Sequence, residues 1–544
     1  MPSGAKPLGM FRPSLKVDSD DPIVSHEALN LGDEALRYAE VKALVGGETT
    51  VENNGHAVLA RNVESPNFGR QRIDSRVQPI DTLSGAELAD LLSRMHGGQV
   101  DAWLPHLAEG VRDGDRPPGD LRSSRSEFTS LKAKGLLTDV TVVVHGAALE
   151  AEDFAQMRSA PSIRNDATGD GLGAKLVWSP LSNLLLYGHT ANVYDALAAD
   201  VVVSLGTDWT PSGSRNLLGE LKVADIALRD PALLGGRRDL VPDLSVAGKR
   251  GTLKQDAEHA LDRLLVDMVT RNPARSVRWY DQVGSIEPGK VADLLVITDP
   301  PREPRQGLPR SPYRSLIDAT ERDVQLVLVG GDPLVGDADL MTQLKPGNHE
   351  AIPSACGCYH KAVALMKAGA PKGDQTLAAI EQMLNDGLLA LGGDNPPPGG
   401  GPADLSNTYS FLKHHFTLPF PMTDEQFTWF VLIPNAGLVN GKLNLEALTL
   451  APLLENDDDF FFDVLGARFD APTRVIADPT PPFLLYPSNA NQLVAGVNPF
   501  ASDVFEDRWY KLPRLGTADD GQQDDGSQGP ICFVGLVAPI CQRR

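Results

Sequence analysis

Four stretches end an apolar run in a side chain able to do chemistry. They are "WLPHLAEG" with His106 and Glu109, "VTVVVHG" with His145, "WSPLSN" with Ser179 and Asn183, and "VVVSLGTDW" with Asp208 and Trp209. Imidazole and carboxylate are suitable ligands for zinc or iron(II). A metal held by His106 and Asp208 would bring the pKa of a bound water toward about 7. Asp208 would also take that water's proton, and Glu109, three residues beyond His106, would pass it to a leaving nitrogen. His145 would polarise the substrate's oxygen or hold the attacking water. Each residue alone has a plainer reading. A strand-end His is commonly a satisfied structural residue, a strand-end Asp caps the next helix, and Pro180 with Asn183 makes a turn. Together, in sequence order, they outline a hydrolytic metal site.

The elements that must carry them alternate. Residues 100–110, 140–149, 174–180 and 201–206 read as strands, and 126–137, 149–157 and 192–199 as helices. Near-continuous apolar strands separated by helices predict a parallel α/β sheet, with the reactive residues on the rim where such barrels build their sites. Upstream, 31–49 reads as a helix with Leu36, Ala39, Ala43 and Leu44 on one face, stopped by Gly46-Gly47. A second helix at 84–95 has Ser84 as its N-cap. Residues 258–277 read as a helix pair or a broken helix, and 283–298 and 323–336 as short strands with Gly and Pro turns.

Composition bounds the rest. The chain has 544 residues, 42% hydrophobic and 22% charged, which suits a large globular domain with smaller additions. A formal net charge of −22 argues against a nucleic-acid partner. No apolar run approaches the roughly 18–20 residues of a membrane helix, and the N-terminus has no signal-peptide core. Four cysteines do not make a disulfide framework, so a cytoplasmic location is expected, and Cys356 and Cys358 read as ordinary thiols.

The motifs resemble the amidohydrolase superfamily, in its triazine-hydrolase, chlorohydrolase and aminohydrolase branch. The resemblance rests on "HLAEG", "VHGAAL", "LVWSPLSNLLLYG", "LGTDWTPSGSRNLLGELKVA", "MVTRNPAR", "VGSIEPGKVADLLVI" and "VQLVLVGGDPLVGD", in this order, and covers about residues 33–338. It implies a (β/α)8 TIM-type barrel, incomplete at its first strand, with a small β-sandwich remnant and a further C-terminal α+β module. It implies one divalent metal, zinc with iron or manganese as alternatives, held by His106 and Asp208. Glu109, His145 and Asp208 would be catalytic, and His145, Ser179, Asn183 and Trp209 would contact a small-molecule substrate. The implied reaction is deaminase-like hydrolysis of a non-peptide carbon–nitrogen bond in a cyclic or heterocyclic compound. Homo-oligomerisation is left open.

The sequence also departs from that family. The family's first barrel strand ends in His-x-His, and none of the 11 histidines here forms such a pair; His26 stands singly near that place. Glu48 falls in a turn where the family has small residues, Asp200 stands where glycine is usual, and 161–173 reads as an insertion. The alternative is therefore a truncated or diverged, inactive relative that binds or scaffolds. The expected division is an irregular segment at 1–30, the barrel at 31–280, small β-domain strands at 281–345, a helical segment at 346–391 and a Pro/Gly linker at 392–407. A module of unassigned function follows at 408–513, with a largely disordered tail at 514–544.

Overall fold

The computed structural model describes residues 32–392 apart from 53–57, 70–72, 77–78, 116–122, 164–170, 188, 209–213, 215, 230–250, 299–310, 354–358 and 371–372; beyond 392 it describes four short strands. His26, Trp209, the Cys356–Cys358 pair and most of 408–513 lie outside the described residues.

The apolar runs form a parallel series. Strand β1 (Thr50–Val51) pairs with β2 (Arg61–Asn62). The Ile73 N–H donates to the Val63 carbonyl at 3.1 Å and leads the chain into β3 (Asp74–Arg76). From there β3, β4 (Trp103–Leu107), β5 (Val142–His145), β6 (Lys175–Trp178) and β7 (Val203–Leu205) lie side by side, all parallel. Every residue of β5 is buried, as a strand covered on both faces requires. The structure is thus α/β with a parallel sheet, and the described strands form an open series rather than a closed ring.

Local chemistry explains the helices. α1 (Gly32–Val45) buries Tyr38, Val41, Leu44 and Val45, at helical spacing, while Ala39 faces out. It ends where glycine is needed, because a Cβ on Gly46 would stand 2.5 Å from the Asn216 side chain. α2 (Gly85–His96) starts at Ser84 in a reciprocal capping box with Glu87. α3 (Ser126–Ala133), α4 (Ala151–Arg158) and α6 (Val193–Ala198) stand where alternation predicts them. α5 (Pro180–Tyr187) was not among the expected helices: the "SPLSN" stretch, whose plainer reading is a turn, opens a helix. After α7 (Leu217–Arg229), the 258–277 helix is broken into α8 (Gly251–Val269) and α9 (Arg271–Ser276) at Thr270, with φ −128° and ψ −92°. Pro273 then sits in the first turn of α9, where its missing N–H costs no helical bond.

Two devices settle β7. Its register with β6 leaves the Val203 carbonyl on the far edge, and the Asn272 amide of α9 donates to it at 2.8 Å. Behind it, Arg314 of α10 (Pro312–Asp318) is buried between Asp225 of α7, two 3.0 Å bonds away, Asp262 of α8 and its own helix's Asp318. Such a buried cation is costly unless every carboxylate is in place, so it fixes the three helices relative to one another.

The second sheet is antiparallel, with β8 (Leu294–Thr298), β9 (Val324–Val329) and β10 (Asp332–Asp337) at its centre. The turn between β9 and β10 is Gly330-Gly331, both left-handed, which matches a tight hairpin. α11 (Ala338–Leu344) follows, and β11 (Glu350–Ile352) and β12 (Lys361–Val363) extend the sheet past residue 345 before α12 (Leu377–Gly392). β13 (Ala436–Val439) pairs with β14 (Lys442–Leu445), and β15 (Ile531–Gly535) and β16 (Ala538–Gln542) continue the large sheet beside β8. The acidic, glycine-rich run 516–530 lies outside the described residues. Arg61 joins the two sheets through Asp293, with bonds of 2.6 and 2.9 Å.

Candidate active site

The C-terminal ends of β4, β5 and β7 converge. One ligand atom from each of His106, His145 and Asp208 lies within 4.8 Å of the others. The His106 and His145 rings are 5.0 Å apart, centre to centre. The chain reaches this convergence by strain. Ala108, His145 and Asp208 have φ of +49°, +72° and +59°, three of the six non-glycine left-handed residues among those described. Such backbone costs on the order of 1–3 kcal/mol per residue and persists only where surroundings enforce it.

Those surroundings can be named. The Ala108 N–H donates to Glu127 of α3 at 2.8 Å, fixing the turn between His106 and Glu109. Ser182 of α5 donates its hydroxyl to Asp208 at 2.5 Å. His106 sets its Nδ1 against the Arg76 carbonyl at 3.2 Å. That carbonyl only accepts, so Nδ1 carries the hydrogen and Nε2 keeps the lone pair a metal would use. His145 places Nε2 3.5 Å from Glu109 and Nδ1 3.2 Å from the Asn183 amide nitrogen. Asp208 does not cap any described helix. α7 begins nine residues later at Leu217, where Asn216 accepts from Gly219 N–H and Glu48 accepts from Leu217 N–H at 2.6 Å. Glu48, the misfit in its turn by sequence, is that helix's anchor.

The site opens on a cavity of about 740 Å³. β1 and β7, the outer strands of the parallel series, both line it, together with His106, Ser179, Asp208 and the apolar wall of Val144, Val177 and Trp279. Among the described lining residues the charged groups are Glu48, Glu52, Asp208 and Asp293, with no lysine or arginine. Asp293 is neutralised by Arg61. Gly206 allows a close approach in the cavity wall, since a Cβ there would meet Val177 at 2.8 Å.

Burial and mutual repulsion shift several carboxyls upward. Glu127 is pushed to about 7 by burial, against the pull of the Ala108 N–H. Glu220, wholly buried, is raised to about 8 by desolvation, with the Asp208 charge adding to it. It accepts the Leu181 N–H at 2.9 Å and so ties α7 to the start of α5.

Of the residues singled out by sequence, His106, Glu109, His145 and Asp208 are brought together. Ser179 lines the cavity. Asn183 is fully buried and reaches His145 instead of the described cavity wall. Sequence reading missed Ser182, Glu127 and Glu220. The pattern Ser179-Pro180 carried a usable signal for the first of these, as an N-cap followed by proline at the first helical position. The two glutamates bond to residues 19 and 39 positions away, beyond any local pattern.

Residues 119–334 match the amidohydrolase family; this span holds His145, Ser179, Asn183 and Asp208 and begins after His106 and Glu109. The chain is similar to a 5-methylthioadenosine/S-adenosylhomocysteine deaminase of Teredinibacter turnerae, 31% identical over 234 residues, which are 41% of this chain and 44% of that protein. A protein of the same name from Moorella thermoacetica is 27% identical, with 56% of this chain and 64% of that protein covered. An S-triazine hydrolase of Gordonia rubripertincta is 24% identical, with 47% and 45% covered. The chain therefore spans less than two thirds of the length of these relatives. Among solved structures, a guanine deaminase from Bradyrhizobium japonicum aligns with a TM-score of 0.41 at 16% identity, covering 61% of this chain and 81% of that one. A zinc complex of atrazine chlorohydrolase from Arthrobacter aurescens aligns at 0.37 and 17%, covering 56% and 72%.

Proposed function

With residues 119–334 matched to the amidohydrolase family, we propose that this protein hydrolyses a carbon–nitrogen bond, other than a peptide bond, in a small cyclic or heterocyclic molecule. The observation that carries the reading is the convergence of His106, His145 and Asp208 at three strand ends, beside a cavity large enough for such a substrate. The seven parallel strands are read as seven of the eight in a (β/α)8 barrel.

The donor set fits a divalent metal. His106 turns Nε2 toward the site, and Asp208 is oriented by Ser182, the kind of outer contact that holds a ligand in place. Zinc is the proposed ion; when bound it supplies Lewis acidity and makes water ionisable near neutral pH. The protein's own residues do the rest. Asp208 accepts the nucleophilic water's proton. Glu109, 3.5 Å from His145, hands a proton to the departing nitrogen. His145, buried behind the cavity wall in the cluster with His106 and Asp208, is the residue read as polarising the substrate's oxygen or holding the attacking water, and Ser179 lines the cavity. The acidic lining disfavours an anionic substrate and suits a neutral or amine-bearing ring. The relatives are enzymes by name and give the scaffold alternative no support.

The test is ammonia release from aminopurines, aminotriazines and cyclic amides, with zinc-loaded protein and Asp208→Ala as control. Turnover that vanishes in the variant is expected. No turnover of any of them by zinc-loaded wild type would sink the proposal.

A further inference from the structure

Asn183 lies too deep to meet a substrate from the described cavity, yet it touches His145, a member of the strand-end cluster with His106 and Asp208. We propose that Asn183 is a positioning residue that fixes His145 as the tautomer with its hydrogen on Nε2, through a chain of one-way hydrogen bonds that begins at Trp178.

Each link has one possible direction. An indole N–H only donates, so Thr190 must accept from Trp178, at 2.5 Å. The Thr190 hydroxyl hydrogen is then left for the Asn183 carbonyl oxygen, at 3.4 Å. With that oxygen committed, the amide nitrogen is the atom that faces His145 Nδ1, at 3.2 Å. An amide nitrogen only donates, so Nδ1 must be the accepting nitrogen. A neutral imidazole with Nδ1 accepting carries its hydrogen on Nε2, which stands 3.5 Å from Glu109. Trp178, Asn183, Thr190 and His145 are all 0% exposed, so water cannot substitute for a link or scramble its direction.

The consequence separates two histidines that composition cannot distinguish. His106 donates from Nδ1 to a carbonyl and offers an Nε2 lone pair. His145 offers an N–H, aimed at the group that moves protons. The tautomer follows from hydrogen bonding alone, whereas its catalytic meaning rests on the hydrolase reading above.

The direct test is long-range proton–nitrogen NMR of the full chain carrying nitrogen-15 histidine, above pH about 8 where imidazoles are neutral. His145→Gln identifies the signal by its loss. Wild type should show hydrogen on Nε2 of His145. In Asn183→Asp the carboxylate can only accept, so the hydrogen should move to Nδ1. Turnover should fall at least tenfold in kcat, with KM changed less than about threefold. Thr190→Val removes the donor that orients the amide and should give a mixture of tautomers, which keeps the idea testable if Asn183→Asp does not fold. A wild-type Nδ1–H, or an unchanged tautomer in a folded Asn183→Asp, overturns the proposal. The expected NMR pattern in a protein without turnover would leave the relay standing and sink the hydrolase reading.

Discussion

The two sheets solve the same problem, reversing or redirecting a chain at a strand end, in opposite ways. In the antiparallel sheet the left-handed turn positions are glycines, as at Gly330-Gly331 between β9 and β10. At the rim of the parallel sheet Ala108, His145 and Asp208 take this conformation with a Cβ to accommodate, next to one glycine, Gly146. Glycine relieves backbone cost where a turn is only a turn. At the site the strain is kept and enforced by partners that are buried or half-buried: Glu127 on the Ala108 N–H, Ser182 on Asp208, Asn183 on His145. Strain with named support therefore marks the candidate site more sharply than residue type does.

The comparison can be broken by exchange. The largest effect is expected for Asp208→Asn, which keeps the shape but removes the charge. Turnover should fall by about 10³-fold or more, as for other groups acting on the attacking water, in a steady-state assay on whichever substrate is found.

Next come two substitutions that should diverge. Gly331→Ala meets open space, its nearest neighbour 4.0 Å off, so only its φ of +83° opposes the methyl. It should cost about 1–2 kcal/mol in urea unfolding and leave kcat alone. Ala108→Gly should change stability by less than about 1 kcal/mol, and lower kcat about tenfold as the turn carrying Glu109 loosens. Equal effects on activity would remove the distinction between the sheets.

A pH titration sharpens the same contrast. Glu220 has its folded pKa raised from 4.5 to about 8. A raised carboxyl stabilises the fold fully below its unfolded pKa, and that contribution is lost as pH rises through the folded value. Metal-free protein should therefore lose stability between about pH 5 and pH 8, by up to about 3 kcal/mol from this residue. Glu220→Gln, melted across that range with a chelator present, should show a flatter profile.

The smallest effect belongs to Asp200, left-handed at φ +60° and at 3.1 Å from Arg158 on the surface. Asp200→Gly relieves the backbone and gives up an exposed ion pair worth at most about 1 kcal/mol. Its melting temperature should rise by a degree or two or stay level, with turnover unchanged.

How far the sequence could be read follows from the same physics. β4 to β7 were legible because each lies in a near-continuous apolar run with a polar residue at or just beyond its end, and their order followed from helix-strand alternation. Asp200 was half legible: its departure from glycine is visible in sequence, and its φ shows why glycine is usual there. The turn at Gly46-Gly47 was legible as a helix stop, but its close approach to Asn216 was not. α5 was not legible because serine, proline and asparagine serve turns and helix starts alike. Glu127, Glu220 and the Trp178–Thr190–Asn183 chain act across folded distances, and only the packed structure brings them to the residues they hold.

The central claim is that His106 and Asp208 hold a metal while His145, in the same cluster, serves the substrate. It is tested most directly by measuring zinc per chain after reconstitution and desalting, in wild type and in His106→Ala, Asp208→Ala and His145→Ala. The account predicts about one zinc in wild type, loss in the first two variants, and a retained zinc with lost turnover in His145→Ala. Wild type without zinc, or a His145→Ala variant as empty as Asp208→Ala, would contradict it.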